Sequence, residues 1–146
     1  MDNKITISVE VNTNSAESGL GLEVWLNDQL VQDLNPVTEH SVVSFDAADD
    51  DGGEHELRFV VKNKLPEHTK IDEQGNILSD AVITIGNLKF DEIELNHDIY
   101  DHFEYKHNFN GTGPETVDKF YGTVGCNGTL SLKFTTPMYL WLLENM

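Results

Sequence analysis

Short stretches in which apolar and polar residues alternate recur along this sequence. Alternation with a period of two is typical of a β-strand that buries one of its faces. Turn sequences rich in Gly, Asn and Pro separate most of the stretches, and helical periodicity is nearly absent. The pattern therefore predicts an all-β protein with little helix. The predicted strands lie at residues 5–11, 22–26, 29–31, 41–45, 54–62, 81–85, 90–95 and 130–134.

The spacing of these strands also predicts the architecture. Several short strands with turns between them favour a two-sheet antiparallel β-sandwich of the jelly-roll type. Residues 54–62 and the run 81–95 are expected to be its central strands. A chain of 146 residues buries enough surface for one core without disulfides or metals, so we expect a single domain over residues 1–146. Trp25 stands in an alternating apolar set and is predicted to lie in the core.

The C-terminal segment, residues 136–146, is apolar nearly throughout. A proline near its start permits one or two helical turns. An extended buried segment explains the same composition, so the sequence leaves both conformations open.

The charge balance excludes several classes of partner. The chain has 26 Asp and Glu residues against nine Lys and Arg, which gives a net charge of −17. Such a surface repels nucleic-acid phosphates and anionic membranes. The first residues show no apolar stretch of the length expected in a signal peptide, and no stretch of the sequence is long and apolar enough to span a membrane. We therefore expect a protein of the producing cell's cytoplasm that binds neither nucleic acid nor membrane.

The residues 46–54 form an acidic loop with two glycines. Ca²⁺ binds six to eight oxygen atoms, which clustered carboxylates on a tight loop can supply. The alternative is that these acids only keep the protein soluble. The candidate calcium ligands in this loop are Asp46, Asp49 and Asp51, with Asp50 and Glu54 beside them.

An aromatic run at residues 97–108 is the best candidate for ligand contact. Aromatic rings can carry the apolar face of a sugar, and acids beside them can bond to its hydroxyl groups. The alternative is that the rings only cap the sandwich. The predicted ligand-binding residues are Tyr100, Tyr105, Asp98 and Asp101.

No motif in the sequence predicts catalysis. Cys126, the only cysteine, stands in a turn without an evident base partner. His97, His102 and His107 are five residues apart, a spacing that fits neither face of a helix nor one face of a strand, so zinc is weakly supported. The protein is therefore predicted not to be an enzyme.

Three segments carry a resemblance to a known family. The sequence from Gly53 to Phe59, followed by residues 80–83 and 91–93, resembles small calcium-dependent xylan-binding carbohydrate-binding modules. The resemblance covers residues 20–95 and implies a β-sandwich that binds a glycan.

The same resemblance implies further metal ligands. An aspartate near the second strand helps to bind calcium in that family, which points to Asp80 or Asp91 here. The sequence departs from the family at Asn63-Lys64, which places a lysine where a metal ligand is expected. Together with the acidic loop, the predicted calcium ligands are Asp46, Asp49, Asp51, Asp80 and Asp91.

A second resemblance concerns residues 68–77 and the ending from Gly125 to Glu144. These segments resemble small uncharacterised proteins of large tailed marine bacteriophages. The resemblance implies a phage-encoded sandwich that decorates the virion or binds glycans.

The predicted function is a non-catalytic carbohydrate-binding module that is calcium-dependent and phage-encoded. The alternative is a structural virion or assembly protein that binds other virion proteins. An exposed apolar tail at residues 138–143 would favour this alternative, because contiguous exposed apolar surface marks interfaces.

Overall fold

The computed structural model describes residues 4–95, 97–108 and 113–145 and confirms the predicted β-sandwich. All the strand pairs in these ranges are antiparallel, and they form two sheets and one separate hairpin. The strands are β1 (Lys4–Thr13), β2 (Gly21–Leu26), β3 (Gln29–Leu34), β4 (Ser41–Ala48), β5 (Gly53–Lys62), β6 (Thr69–Ile71), β7 (Ile77–Asp80), β8 (Ile83–Phe90), β9 (Ile93–Glu94), β10 (Glu104–His107), β11 (Thr116–Lys119), β12 (Thr123–Val124) and β13 (Gly128–Thr136).

Two α-helices accompany the strands in the described ranges. The first, α1, is a single turn (His97–Tyr100), and the second, α2 (Met138–Asn145), follows the last strand. The C-terminal segment is therefore helical, one of the two conformations that the sequence left open. No helix in the described part of the chain is long and apolar enough to cross a membrane.

The first sheet has the strand order β12-β8-β1-β4, and β9 pairs with the end of β8. Every second residue of β1 is buried, from Ile5 to Thr13, as its alternating sequence predicts. Its register with β8 shifts between Ser8 and Glu10, beside Asn87, which has a positive φ of 49°. This β-bulge bends the strand locally and increases its twist.

The second sheet has the strand order β11-β10-β13-β5-β2-β3. The strand β5 lies in its middle, between β13 and β2, as expected for a central strand. The other predicted central strand, β8, lies in the first sheet. The two strands therefore belong to opposite layers of the sandwich.

The core fills the space between the two sheets. Phe59 and Phe134 of the second sheet and Phe90 of the first are almost completely buried. The rings of Phe90 and Phe134 are 5.4 Å apart and join the layers directly. Burying a large apolar side chain stabilises a fold by about 1.5–3 kcal/mol, so this contact holds the end of β13 against the first sheet.

Two sequence expectations are wrong. Trp25 lies on the outer face of the second sheet, half-buried, because Leu22 and Val24 supply the inner face of β2. Its indole N–H donates to Glu23 Oε1 at 2.9 Å, and the Arg58 guanidinium lies 5.6 Å from its ring centre. In addition, residues 63–80, which contain none of the predicted strands, hold the hairpin β6–β7.

Candidate functional site

The acidic loop fastens the C-terminal helix to the sandwich. Asp49 Oδ1 accepts a hydrogen bond from the Met138 N–H at 2.7 Å, at the start of α2. The Asp50 carbonyl accepts one from Thr136 Oγ1 at 2.6 Å. Gly53 is required beside it, because a Cβ there would collide with Thr136 Oγ1. Asp51, also predicted to bind calcium, is exposed.

Asp46 and Asp91 are brought together at one residue of β1. The Thr6 hydroxyl donates to Asp46 Oδ1 at 2.8 Å, and the Thr6 N–H donates to Asp91 Oδ1 at 2.9 Å. The Asp91 N–H in turn donates to the Thr6 carbonyl at 2.6 Å. These bonds close the turn after β8, where Asp91 has a positive φ of 57°. Two predicted calcium ligands are therefore neighbours.

Asp80 has a different environment from the other predicted ligands. Its Oδ1 accepts hydrogen bonds from Lys64 Nζ at 2.5 Å and from Thr69 Oγ1 at 2.6 Å. Lys64 stands where the sequence departs from the carbohydrate-binding modules that it resembles. Its ammonium thus neutralises the carboxylate of Asp80, a predicted calcium ligand. The five carboxylates therefore lie at three separate places. Among the described residues, no three or more His, Cys, Asp or Glu side chains are placed to hold a metal ion, so this donor set does not fit Ca²⁺, which needs six to eight oxygens.

The predicted ligand-binding residues also separate. Tyr105 is buried on the inner face of β10, where its hydroxyl donates to the Cys126 carbonyl and accepts from the Cys126 N–H at 3.0 Å. Burial raises the pKa of this phenol. Asp101 is exposed, and the Asp98 side chain lies outside the described part of the structure. Tyr100 is half-buried, and burial raises its pKa as well.

Tyr100 lines a cleft at the edge of the first sheet, where β9 and β12 pair with opposite ends of β8 and leave its middle uncovered. The cleft has a volume of about 560 Å³. Tyr121, with 80% of its surface exposed, stands at its side, and Glu94 lies near the Tyr100 hydroxyl. We name it the Tyr121 cleft. The sequence identified Tyr100 but gave no sign of its neighbour.

A second cleft lies where β5 and β13 run beyond the rest of their sheet. In their register Glu56 pairs with Lys133, and His55 pairs with Phe134. The helix α2 packs against β13 and adds Trp141. We name this space, of about 520 Å³, the His55 cleft. Its walls include Glu54, His55, Glu56, Lys133, Phe134 and Trp141.

The turn at Asn27 fixes the chemistry of His55. Asn27 Oδ1 accepts the Glu56 N–H at 2.9 Å, so its Nδ2 faces His55 Nδ1, 3.1 Å away. The amide therefore donates to Nδ1, and the neutral imidazole carries its proton on Nε2. Asn27 has a positive φ of 55°, which asparagine tolerates in a tight turn. The His55 ring stacks on Phe134 at 5.2 Å.

Three polar groups of this cleft have no partner of their own among the described residues. No protein acceptor lies at His55 Nε2, no acceptor at Lys133 Nζ and no donor at the Glu54 carboxylate. The cleft thus offers two free donors and one free acceptor beside the half-buried His55 ring, which stacks on the buried Phe134.

A smaller cavity of about 190 Å³ adjoins the His55 cleft. Lys133 and Trp141 line both spaces, and the His102 ring meets the Trp141 ring edge-on at 5.9 Å. Glu104 and Ser131, which pair across β10 and β13, also line the smaller cavity. The two spaces together form a groove from Glu54 to Glu104.

The sequence showed only one sign of this site, which is His55 between two glutamates on a predicted strand. This pattern is most simply explained by an exposed or rim residue. The pairing of β5 with β13, two strands far apart in the sequence, and the packing of α2 create the cleft. Neither the strand pairing nor the packing of the helix can be predicted from short stretches of the sequence.

Comparisons with known proteins give little beyond the fold. No family model matches the sequence, and no curated protein matches it. The chain is similar to vCBM60 in complex with galactobiose, at 12% identity and a TM-score of 0.44, over 87% of this chain and 96% of that chain. The chain is also similar to a second vCBM60 structure, associated with two families of calcium-dependent carbohydrate binding modules. The identity is 11% and the TM-score 0.46, over 88% of this chain and 89% of that chain. Likenesses of this size carry no argument about the ligand.

Proposed function

We propose that the protein is a non-catalytic carbohydrate-binding module and that the His55 cleft is its binding site. One observation carries the proposal. Unpartnered hydrogen-bond donors and an unpartnered acceptor stand beside the half-buried His55 ring in a space of about 520 Å³. Sites for small organic ligands have volumes of roughly 300–1,000 Å³.

A sugar matches this arrangement because each hydroxyl group both donates and accepts. His55 Nε2–H and the Lys133 ammonium are donors for hydroxyl oxygens, and the Glu54 carboxylate accepts from a hydroxyl hydrogen. Charge-assisted bonds of this kind are the stronger ones. The apolar C–H face of a neighbouring sugar ring then lies against the half-buried His55 ring, which itself covers Phe134.

The Tyr121 cleft is the second place for a glycan. It keeps the predicted role of Tyr100, and the exposed Tyr121 ring offers a flat apolar surface. Its lining is more apolar, since Ile85 and Leu95 contribute to it. We rank it below the His55 cleft because Glu94 is the one charged residue that lines it in the described part of the chain, whereas Glu54, Glu56 and Lys133 line the His55 cleft.

A glycan array followed by NMR mapping tests the proposal. We expect neutral oligosaccharides among the hits, with chemical-shift changes at His55 and at the Trp141 indole. Lys133→Ala should weaken binding by about tenfold, the loss expected for a charged hydrogen bond of roughly 1.5 kcal/mol. Lys89→Ala removes an equally exposed lysine from the first sheet and serves as the control.

Two outcomes contradict parts of the proposal. Shift changes confined to Tyr100 and Tyr121 would move the site to the Tyr121 cleft and leave the function standing. An array without any hit would overturn the carbohydrate-binding function.

A second candidate function is binding to another protein, as in the predicted virion or assembly role. The hairpin β6–β7 forms a sheet of its own and exposes Ile71, Ile77 and Leu78 by 58%, 66% and 68%. The helix α2 favours this function less, because Met138, Trp141 and Leu142 are buried. Its exposed apolar residues are Tyr139, Leu140 and Leu143.

Light scattering tests this second function for self-assembly. A defined oligomer that dissociates in the double variant Ile77→Thr, Leu78→Thr would support it. Val42→Thr changes an equally exposed aliphatic residue elsewhere and is the control. A monomer at all concentrations would exclude self-assembly through the hairpin.

A further inference from the structure

The charge along the groove distinguishes between classes of glycan. Glu54 and Glu56 line the His55 cleft, and Glu104 lines the adjoining cavity. Lys133 is the one cation that lines these two spaces in the described part of the chain, since Arg58 stands outside them, with its Nε 3.5 Å from Glu56 Oε1. The groove is therefore more negative than positive.

The surroundings strengthen this asymmetry. The acidic loop ends at the groove, because its last residue, Glu54, lines the His55 cleft. The Thr136 hydroxyl donates to the Asp50 carbonyl and holds the loop in place. The whole chain carries a net charge of −17. A concave surface lined by one sign of charge concentrates ligands of the opposite sign. Glycans with carboxylate or sulfate groups are consequently disfavoured.

We propose that the groove prefers glycans that carry free primary amines, of the glucosamine type. This inference rests on the proposed carbohydrate-binding function and names its ligand class. A protonated amino group donates to Glu54 or Glu104, while neighbouring hydroxyl groups bond to His55 and Lys133. Glu54 and Glu104 suit this role because neither has an ion-pair partner among the described residues.

Three matched oligosaccharides separate the effect of the amine's charge on binding from the effect of the rest of the sugar. Oligomers of glucosamine, N-acetylglucosamine and glucose with the same β-1,4 linkage and length differ only in the group at one ring carbon. Calorimetric titration is carried out below the pKa of the sugar amine, in salt of about 0.02 M and about 0.3 M. Screening lengths change severalfold between these concentrations.

We expect the glucosamine oligomer to bind about tenfold more tightly than the acetylated one at low salt, because each partly exposed ion pair contributes a few-fold at most. The preference should shrink at high salt. The double variant Glu54→Gln, Glu104→Gln should abolish it while keeping the binding of the neutral oligomers.

The control separates local from overall charge. Glu39→Gln also removes an exposed carboxylate, far along the chain from the groove, and should leave the preference unchanged. Equal affinity for all three oligomers would overturn the amine preference while the carbohydrate-binding function stands. A preference that survives in the double variant would likewise overturn it, since overall charge would then be the cause. Failure of all three oligomers together with a glycan array without hits would overturn the carbohydrate-binding function itself.

Discussion

Lys64 Nζ lies 2.5 Å from Asp80 Oδ1, and only 2% of the lysine side chain is exposed. The same ammonium donates to the Ala81 carbonyl, and Thr69 Oγ1 donates to the same carboxylate oxygen. These bonds join three segments: the end of β5, the base of the hairpin β6–β7 and the approach to β8. The pair therefore anchors the hairpin to the sandwich.

Replacing one partner of this pair should be strongly destabilising. Asp80→Asn leaves the buried ammonium of Lys64 without its counter-charge, which costs about 3–5 kcal/mol for pairs of this kind. Urea unfolding gives the free energy directly. In the double variant Lys64→Met, Asp80→Asn no buried charge is left, so it should be more stable than Asp80→Asn alone. Additive effects of the two changes would contradict a coupled pair.

The hydrogen bond from the Met138 amide makes Asp49 a cap for α2. Asp49→Ala should lower the free energy of unfolding by about 1 kcal/mol, the usual effect of losing a side-chain cap. Asp51→Ala, two residues away in the same loop and exposed, removes the same charge and should have little effect. Equal losses in the two variants would show that loop charge, and not the cap, stabilises the helix.

The sequence predicted β1, β5 and β13, which bury one face, and missed the hairpin β6–β7 and the short strand β10, although β10 buries Tyr105 and His107. The alternation of β1 runs from Ile5 to Thr13 without interruption, and the structure follows it. The hairpin β6–β7 was missed because Ile71, Ile77 and Leu78 are all exposed, so no buried face marks it. The pairing of β5 with β13 could not be predicted either, because the two strands are far apart in the sequence.

The candidate site was predictable only in part. Tyr100 does line a cleft, but Tyr105 alternates with the buried residues Phe103 and His107 and shares their inward direction. That alternation was present in the sequence and could have placed Tyr105 inside. The His55 cleft depends on a register and a helix position that only the folded chain defines.

The buried phenol of Tyr105 makes stability sensitive to alkaline pH. Its pKa is raised in the folded protein, whereas in the unfolded chain it is about 10. The unfolded state therefore releases the proton first, and stability falls as the pH rises above that value, by up to about 1.4 kcal/mol per pH unit. The variant Tyr105→Phe has no phenol at this position, so its stability should not fall with pH for this reason.

Unfolding in urea between about pH 8 and pH 11 measures the difference. At the lower pH the variant should be less stable by about 1–3 kcal/mol, because the Cys126 N–H and carbonyl lose their partner. This difference in free energy of unfolding between the protein and the variant should become smaller as the pH rises. Tyr121→Phe changes an exposed phenol and is the control. A difference in free energy of unfolding between the protein and Tyr105→Phe that is constant with pH would contradict the inference that the Tyr105 phenol stays protonated in the folded state.

Calcium dependence is tested most directly at Asp46 and Asp91. The two carboxylates meet at Thr6, while Asp49 caps α2 and Asp80 is paired with Lys64. Because the described residues bring no third carboxylate to this pair, we expect the melting temperature in millimolar Ca²⁺ to equal that in chelator. An ion that binds only the folded state would raise it. A rise that disappears in the double variant Asp46→Asn, Asp91→Asn, but persists in Asp51→Asn, would contradict this expectation and assign calcium to two of the sequence-predicted ligands, Asp46 and Asp91.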